Sequence, residues 1–174
     1  MKIFIGCASK DTNREEYRED ARYIAKSLAK NNDLVYGTSN TGLMGIVYDE
    51  FKKQNRKIIG IYYPMYNYSI DDLKLDKVLT ADFLGMGTNY EIEEADSLLF
   101  LPGAYGTFLE LIMALELQRS KMINKKIVIY NPNHYFDGIL ENINRSYLDA
   151  AASNNYQDLC IVLEDKDQVI KEFM

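Results

Sequence analysis

Ser97-Leu98-Leu99-Phe100-Leu101-Pro102-Gly103-Ala104-Tyr105-Gly106-Thr107 carries an apolar run into a glycine turn, after which the spacing of apolar residues becomes helical. The run from Ser97 to Leu101 reads as a buried strand, being short, almost wholly apolar and closed by Pro102-Gly103. From Thr107 to about Lys121 the pattern predicts a helix with Leu109, Ile112, Met113 and Leu117 inward. A strand that passes through glycines directly into a helix is the building unit of a parallel α/β sheet.

The same unit recurs on both sides of this stretch. Lys2 to Cys7 reads as a strand, and the polar stretch Ser9 to Arg14 leads to a helix with Tyr17, Ala21, Ile24, Ala25 and Leu28 on one face, ended by Asn31-Asn32-Asp33. Leu34-Val35-Tyr36 is a second strand, followed by Gly37-Thr38-Ser39-Asn40-Thr41-Gly42 and a helix from about Leu43 to Gln54. Lys57 to Tyr63 reads as a buried parallel strand. Pro64 to about Asp82 reads as a long loop holding a short strand or helical turn, and helical character resumes near Asn89 to Ala95. Lys126 to Tyr130 is a further strand, and a helix from Tyr135 to about Leu148 runs through Phe136, Ile139, Leu140, Ile143 and Tyr147. Cys160 to Leu163 precedes a short terminal helix. The alternation predicts an α/β, Rossmann-like, doubly wound and mainly parallel sheet with helices on both faces, in a single domain spanning 1–174.

Composition narrows the function classes. Apolar residues make up 47% and charged residues 26%, as in ordinary globular proteins. The net charge of −6 opposes the basic surface that nucleic acid requires, so no nucleic-acid partner is expected. Met1 to Gly6 is too short an apolar run for a signal peptide and no stretch reaches membrane-span length, so no membrane partner and a cytoplasmic location are expected. Two cysteines, Cys7 and Cys160, are too few for a disulfide framework or a cysteine zinc site and read as buried small hydrophobes. The fourteen tyrosines are assigned to packing.

In such a sheet ligands bind beyond the carboxyl ends of the strands, which directs attention to the loops after Cys7, Tyr36, Tyr63 and Leu101. Gly103 and Gly106 let backbone approach a ligand, and free N–H groups at the following helix start attract an anion; a plain structural turn fits the same residues. Thr107 either caps that helix or donates its hydroxyl to a phosphate oxygen. Gly37, Gly42 and Gly45 give the second loop the same access and the same ambiguity. Their spacing is not the dinucleotide fingerprint, and no Gly-Lys-Ser/Thr ending marks a triphosphate loop. Ser9 and Lys10 are pocket candidates by position alone. His134 reads as a surface turn residue, and Glu93, Glu94 and Asp96 as a solvated helix face, so no metal site is expected.

Pro102-Gly103-Ala104-Tyr105-Gly106-Thr107-Phe108-Leu109-Glu110 resembles the PGGxGTxxE pattern of the lonely-guy-like proteins, once described as lysine decarboxylases, with Ala104 the single departure. Val35-Tyr36-Gly37-Thr38-Ser39 and Gly42-Leu43-Met44-Gly45 echo a second stretch of that family, and Gln118, Lys126 and Asn131 to Tyr135 also match, so the likeness spans Ile3 to about Leu148. The resemblance implies hydrolysis of the N-glycosidic bond of a nucleoside 5′-monophosphate to free base and ribose 5-phosphate, without metal or cofactor, in a homodimer with sites near its interface. Glu110 matches the family's catalytic glutamate. Cleavage builds positive charge on the ribose, which a carboxylate beside the ring stabilises. The family's other catalytic residue is an arginine; here the corresponding segment reads Leu84-Gly85-Met86-Gly87-Thr88-Asn89-Tyr90-Glu91, without arginine, and the spacing from Met86 to Pro102 is about two residues short of the family's. Asn89 in this segment is a further ligand-binding candidate. Arg119 and Lys121 lie about three turns beyond Glu110, too far to replace the arginine within one subunit. The alternative expectation is a non-catalytic nucleotide sensor or carrier on the same fold.

Overall fold

The computed structural model describes residues 1–12 and 14–174. Chain order runs β1 (Lys2–Gly6), α1 (Glu15–Leu28), β2 (Asp33–Tyr36), α2 (Gly42–Lys53), β3 (Ile58–Tyr62), β4 (Lys77–Thr80), α3 (Leu84–Glu94), β5 (Ser97–Phe100), α4 (Tyr105–Arg119), β6 (Lys126–Tyr130), α5 (Asp137–Leu148), β7 (Ile161–Leu163) and α6 (Lys166–Lys171). The strands form one sheet in the order β4-β3-β2-β1-β5-β6-β7, and every neighbouring pair is parallel.

Both faces of the sheet are covered. On one, Ile3, Ile5 and Tyr36 pack with Ile24 and Leu28 of α1, Val47 and Phe51 of α2, and Val169 of α6. On the other, Phe4, Val35, Leu98 and Phe100 pack with Ile92 of α3, Leu111 and Ala114 of α4, and Leu140 of α5. Alternate residues of each strand therefore serve opposite cores, which is why β1, β2 and β5 are nearly continuous apolar runs. The chain winds outward from β1 to β4 and returns at β5 on β1's other side, so the strand order reverses between β1 and β5. Ligand crevices open at such a reversal.

Three expectations need correction. Leu109 and Ile112 of α4 face outward, 42% and 41% exposed, while the buried stripe is Thr107, Leu111, Ala114 and Leu115. From Phe108 to Leu117 only Glu110 and Glu116 break the apolar run, which leaves the periodicity blind to which side is inside. Helix α3 starts at Leu84, well ahead of the expected start near Asn89; Gly85 and Gly87, of low helix propensity, hide its first turn from the residue pattern. Cys160 is only half-buried, whereas Cys7 is buried. Between Pro64 and Asp82 the chain makes both alternatives, a 3₁₀ turn at Pro64–Tyr66 and the edge strand β4.

Candidate active site

The loops after β1, β2 and β5 are stitched together at the strand-order reversal. Ala8 donates its N–H to the carbonyl of Pro102 (3.1 Å), Met44 to that of Ala8 (3.1 Å), and the Thr41 hydroxyl to that of Ser9 (2.6 Å). Gly42 sits at φ +62°, where a side chain is strained, and a Cβ there would also strike the carbonyls of Ala8 and Lys10 at 2.6 Å. A Cβ on Gly45 would stand 2.5 Å from the Asn40 carbonyl. Both glycines thus explain how the second loop folds tightly onto the first.

After β5, Gly103 is buried against Thr107, its carbonyl accepts the Tyr135 hydroxyl, and a side chain on Gly103 would collide with the threonine. Helix α4 has no side-chain cap; its first internal bond is Phe108 N–H to Ala104 C=O at 2.9 Å. The N–H groups of Tyr105, Gly106 and Thr107 therefore precede the helical ladder, an arrangement that attracts anions. Thr107 is buried in the first turn and is not the capping residue. Gly106 is exposed, with open space where its Cβ would be.

Glu110, one turn on, reaches back under this loop to the end of β1. A Cβ on Gly6 would sit 2.6 Å from its Oε2, which is buried and has no hydrogen-bond partner among the described residues. Burial pushes this carboxyl up to about 8. A second acid, Glu91 of α3, is 1% exposed. Its Oε1 accepts the Tyr63 hydroxyl at 3.0 Å and lies 3.2 Å from where a Gly37 Cβ would be, while its Oε2 is buried without a partner among the described residues. Burial raises Glu91 well above the usual carboxylate range, the charge of Glu110 raises it further, and the Tyr63 hydroxyl partly offsets this. Burial and then Glu110 also raise the Cys7 thiol, and burial followed by Glu91 and Glu110 raises Tyr63. The whole cluster favours protonated, neutral forms.

Phe4 pairs with Val35 in the β1–β2 ladder, so two residues on Gly6 and Gly37 end adjacent strands side by side, one under Glu110 and the other under Glu91. Of the residues expected at the site, the structure thus joins Gly37, Gly103, Thr107 and Glu110 around one crevice. Ser9 is exposed on the neighbouring loop, Lys10 is exposed beside it, and Asn89 is half-buried in α3, two residues ahead of Glu91. Arg119 is bound to Glu116 by contacts of 2.6 and 2.8 Å. His134 lies at the surface, 3.2 Å from Asp137 and 3.6 Å from Glu164. Glu94 pairs with Lys77 at 2.6 Å, and among the described residues no group of three or more His, Cys, Asp or Glu side chains is placed to hold a metal ion.

Sequence reasoning missed Glu91 and Tyr63. Tyr63 follows β3, at one of the loops expected to border a ligand, and a Cβ at position 87 in place of Gly87 would collide with its ring. The glycine one turn ahead of Glu91 was the available signal.

Residues 44–173 match the protein family described as "Possible lysine decarboxylase". The cytokinin riboside 5′-monophosphate phosphoribohydrolase LOG2 of Arabidopsis thaliana is 24% identical over 172 residues, covering 98% of this chain and 81% of that protein. The probable phosphoribohydrolase LOG6 of the same plant is 28% identical over 153 residues, with 79% and 70% covered. Among solved structures, the molybdenum cofactor carrier protein of Chlamydomonas reinhardtii superposes with a TM-score of 0.69 at 19% identity, covering 98% of this chain and 94% of that one. DNA processing protein A of Helicobacter pylori gives 0.63 at 15% identity, with 99% and 79% covered. These likenesses show a shared Rossmann-type fold. Joined to the Pro102 to Glu110 motif, the family match assigns the chain: it belongs to the lonely-guy-like proteins, the family described as possible lysine decarboxylases.

Proposed function

We propose that this chain is a nucleoside 5′-monophosphate phosphoribohydrolase. The observation that carries the reading is the buried carboxyl of Glu110 at the end of β1, one helical turn from the N–H groups of Tyr105, Gly106 and Thr107, which precede the first internal bond of α4. The phosphate sits on those N–H groups with Gly103 beneath it, and the ribose lies between them and Glu110. Loop Gly37 to Gly45, with Ser9 and Asn89 at its borders, shapes the remaining pocket. As the C1′–N bond breaks, its electron pair leaves with the base. The ionised form of Glu110, whose share grows as pH rises toward about 8, stabilises the positive charge left on the ribose and takes a proton from the water whose oxygen bonds to C1′, while the departing base takes a proton from solvent. The relatives named as phosphoribohydrolases support this reading.

The second reading is a nucleotide sensor or carrier. It is favoured by the absence, among the described residues, of any lysine or arginine in the charges that act on Glu110 and Glu91, and by the likeness to the molybdenum cofactor carrier fold. Incubating the protein with AMP, CMP, GMP and other monophosphates while following free base by chromatography separates the two. Release of base supports the hydrolase; ligand bound with no base released supports the carrier. DNA binding is opposed by the net charge of −6.

The working unit is a cytoplasmic homodimer. Tyr105, Leu109 and Ile112 form one outward stripe of α4, 91%, 42% and 41% exposed, beside the proposed phosphate site. Apolar side chains of this size on one face suit burial against a second copy.

A further inference from the structure

Gly6 ends β1 and Gly37 follows β2, each two residues beyond a side chain packed on the face that α3 and α4 cover, Phe4 and Val35, which are partners in the ladder. Gly6 is in turn level with Phe100 of β5. Three features therefore stand in a row across the carboxyl end of the sheet, on strands about 4.8 Å apart. They are the N–H groups that precede the α4 ladder after β5, Glu110 against Gly6 at β1, and Glu91 against Gly37 beyond β2. A nucleoside monophosphate has the same order of parts: phosphate, ribose, base.

We propose that Glu91 is the specificity-determining residue for the base, pairing through its carboxyl with an exocyclic amino group beside a ring nitrogen, the edge that adenine and cytosine present. This rests on the phosphoribohydrolase reading, which seats the phosphate at α4 and the ribose at Glu110. Glu91 is 1% exposed; the Tyr63 hydroxyl donates to its Oε1 at 3.0 Å, and its Oε2 is buried without a partner among the described residues. A buried oxygen so placed is a standing cost to the fold that a bound group of matching polarity removes. Burial favours the protonated form of Glu91, which presents a donor and an acceptor side by side. With Tyr63 donating to Oε1, the proton belongs on Oε2 and goes to the ring nitrogen, while a remaining lone pair of Oε1 accepts the amino N–H. A side-chain amide reads adenine by the same pairing of donor and acceptor. Met44 of α2 is half-buried and its Cε lies 3.2 Å from where a Gly37 Cβ would be, as Oε1 of Glu91 does. Its unbranched thioether swings aside to admit the ring and packs on its face.

The test is calorimetric binding of three ligands, AMP, purine riboside 5′-monophosphate and ribose 5-phosphate, to the Glu110→Gln protein, which does not consume them. Purine riboside 5′-monophosphate keeps the ring nitrogen and lacks the amino group, so AMP should bind about 10- to 100-fold more tightly. Adding Glu91→Leu should abolish that difference and leave ribose 5-phosphate unchanged, whereas Glu91→Gln, which retains a donor and an acceptor, should keep it. If the Glu91→Leu protein fails to fold, the comparison of the two nucleotides on the chain with Glu91 intact still decides. Equal affinity for AMP and purine riboside 5′-monophosphate would overturn the proposal, and so would a loss of ribose 5-phosphate binding in Glu91→Leu as large as that of AMP, which would put Glu91 on the ribose. Both outcomes leave the phosphoribohydrolase reading standing; failure of all three ligands to bind would remove that reading and the proposal together.

Discussion

Gly6 is the seat of Glu110: the glycine's bare Cα at the end of β1 is what lets the carboxylate enter the crevice, since a methyl group there would lie 2.6 Å from Oε2. Gly6→Ala should therefore push Glu110 off its position while leaving the sheet paired, because β1 remains hydrogen bonded through Phe4 and Ile5. Base release is expected to fall by about 10²-fold, the usual effect of displacing a reacting group by an ångström. Steady-state kinetics with a circular-dichroism melt checks both halves; unchanged turnover refutes the placement.

Gly87 holds the ring of Tyr63 in the same way. Gly87→Ala gains helix propensity but collides with the ring, and overpacking of this kind costs about 1–3 kcal/mol. Denaturant unfolding should show a net loss of stability, and a variant as stable as the parent would show that the contact relaxes freely.

Stability should also depend on pH in a defined direction. Glu110 titrates at about 8 in the folded chain against 4.5 for an ordinary glutamate, so between those values the folded chain holds a proton that the unfolded chain has released. Folded pKa above unfolded pKa means that this contribution is full at low pH and is lost as pH rises through about 8. Melting temperature should fall from about pH 5.5 to 8.5, and fall less in Glu110→Gln. Equal slopes in the two proteins would contradict the burial assigned to this carboxyl.

The stripe on α4 gives a prediction about assembly. Leu109→Asp with Ile112→Asp should convert a dimer to monomers in sedimentation velocity, with little change in the melt because both side chains are already partly in solvent. A monomeric parent protein would remove the dimer from the account.

Much of this was legible from residue order, for identifiable reasons. Strand β6, Lys126–Tyr130, and the inward face of α1, Tyr17 to Leu28, are set by apolar runs and spacing that have one solution. Glu110 was legible because its motif surrounds it. The outward turn of Leu109 and Ile112 was not, since α4 is apolar nearly all round and only packing decides its rotation. Glu91 was hidden for a different reason: a charged residue in a segment with two glycines reads as surface helix, and only the fold reveals that Gly37 and Tyr63 enclose it.

The most direct test of the central claim is free-base release from a nucleoside 5′-monophosphate by the wild-type protein and by Glu110→Gln, compared at neutral pH with binding of the same nucleotide measured alongside. The account predicts turnover in the wild type and a loss on the order of 10²- to 10⁴-fold in the variant, with the nucleotide still bound. Turnover in Glu110→Gln equal to that of the wild type would contradict it.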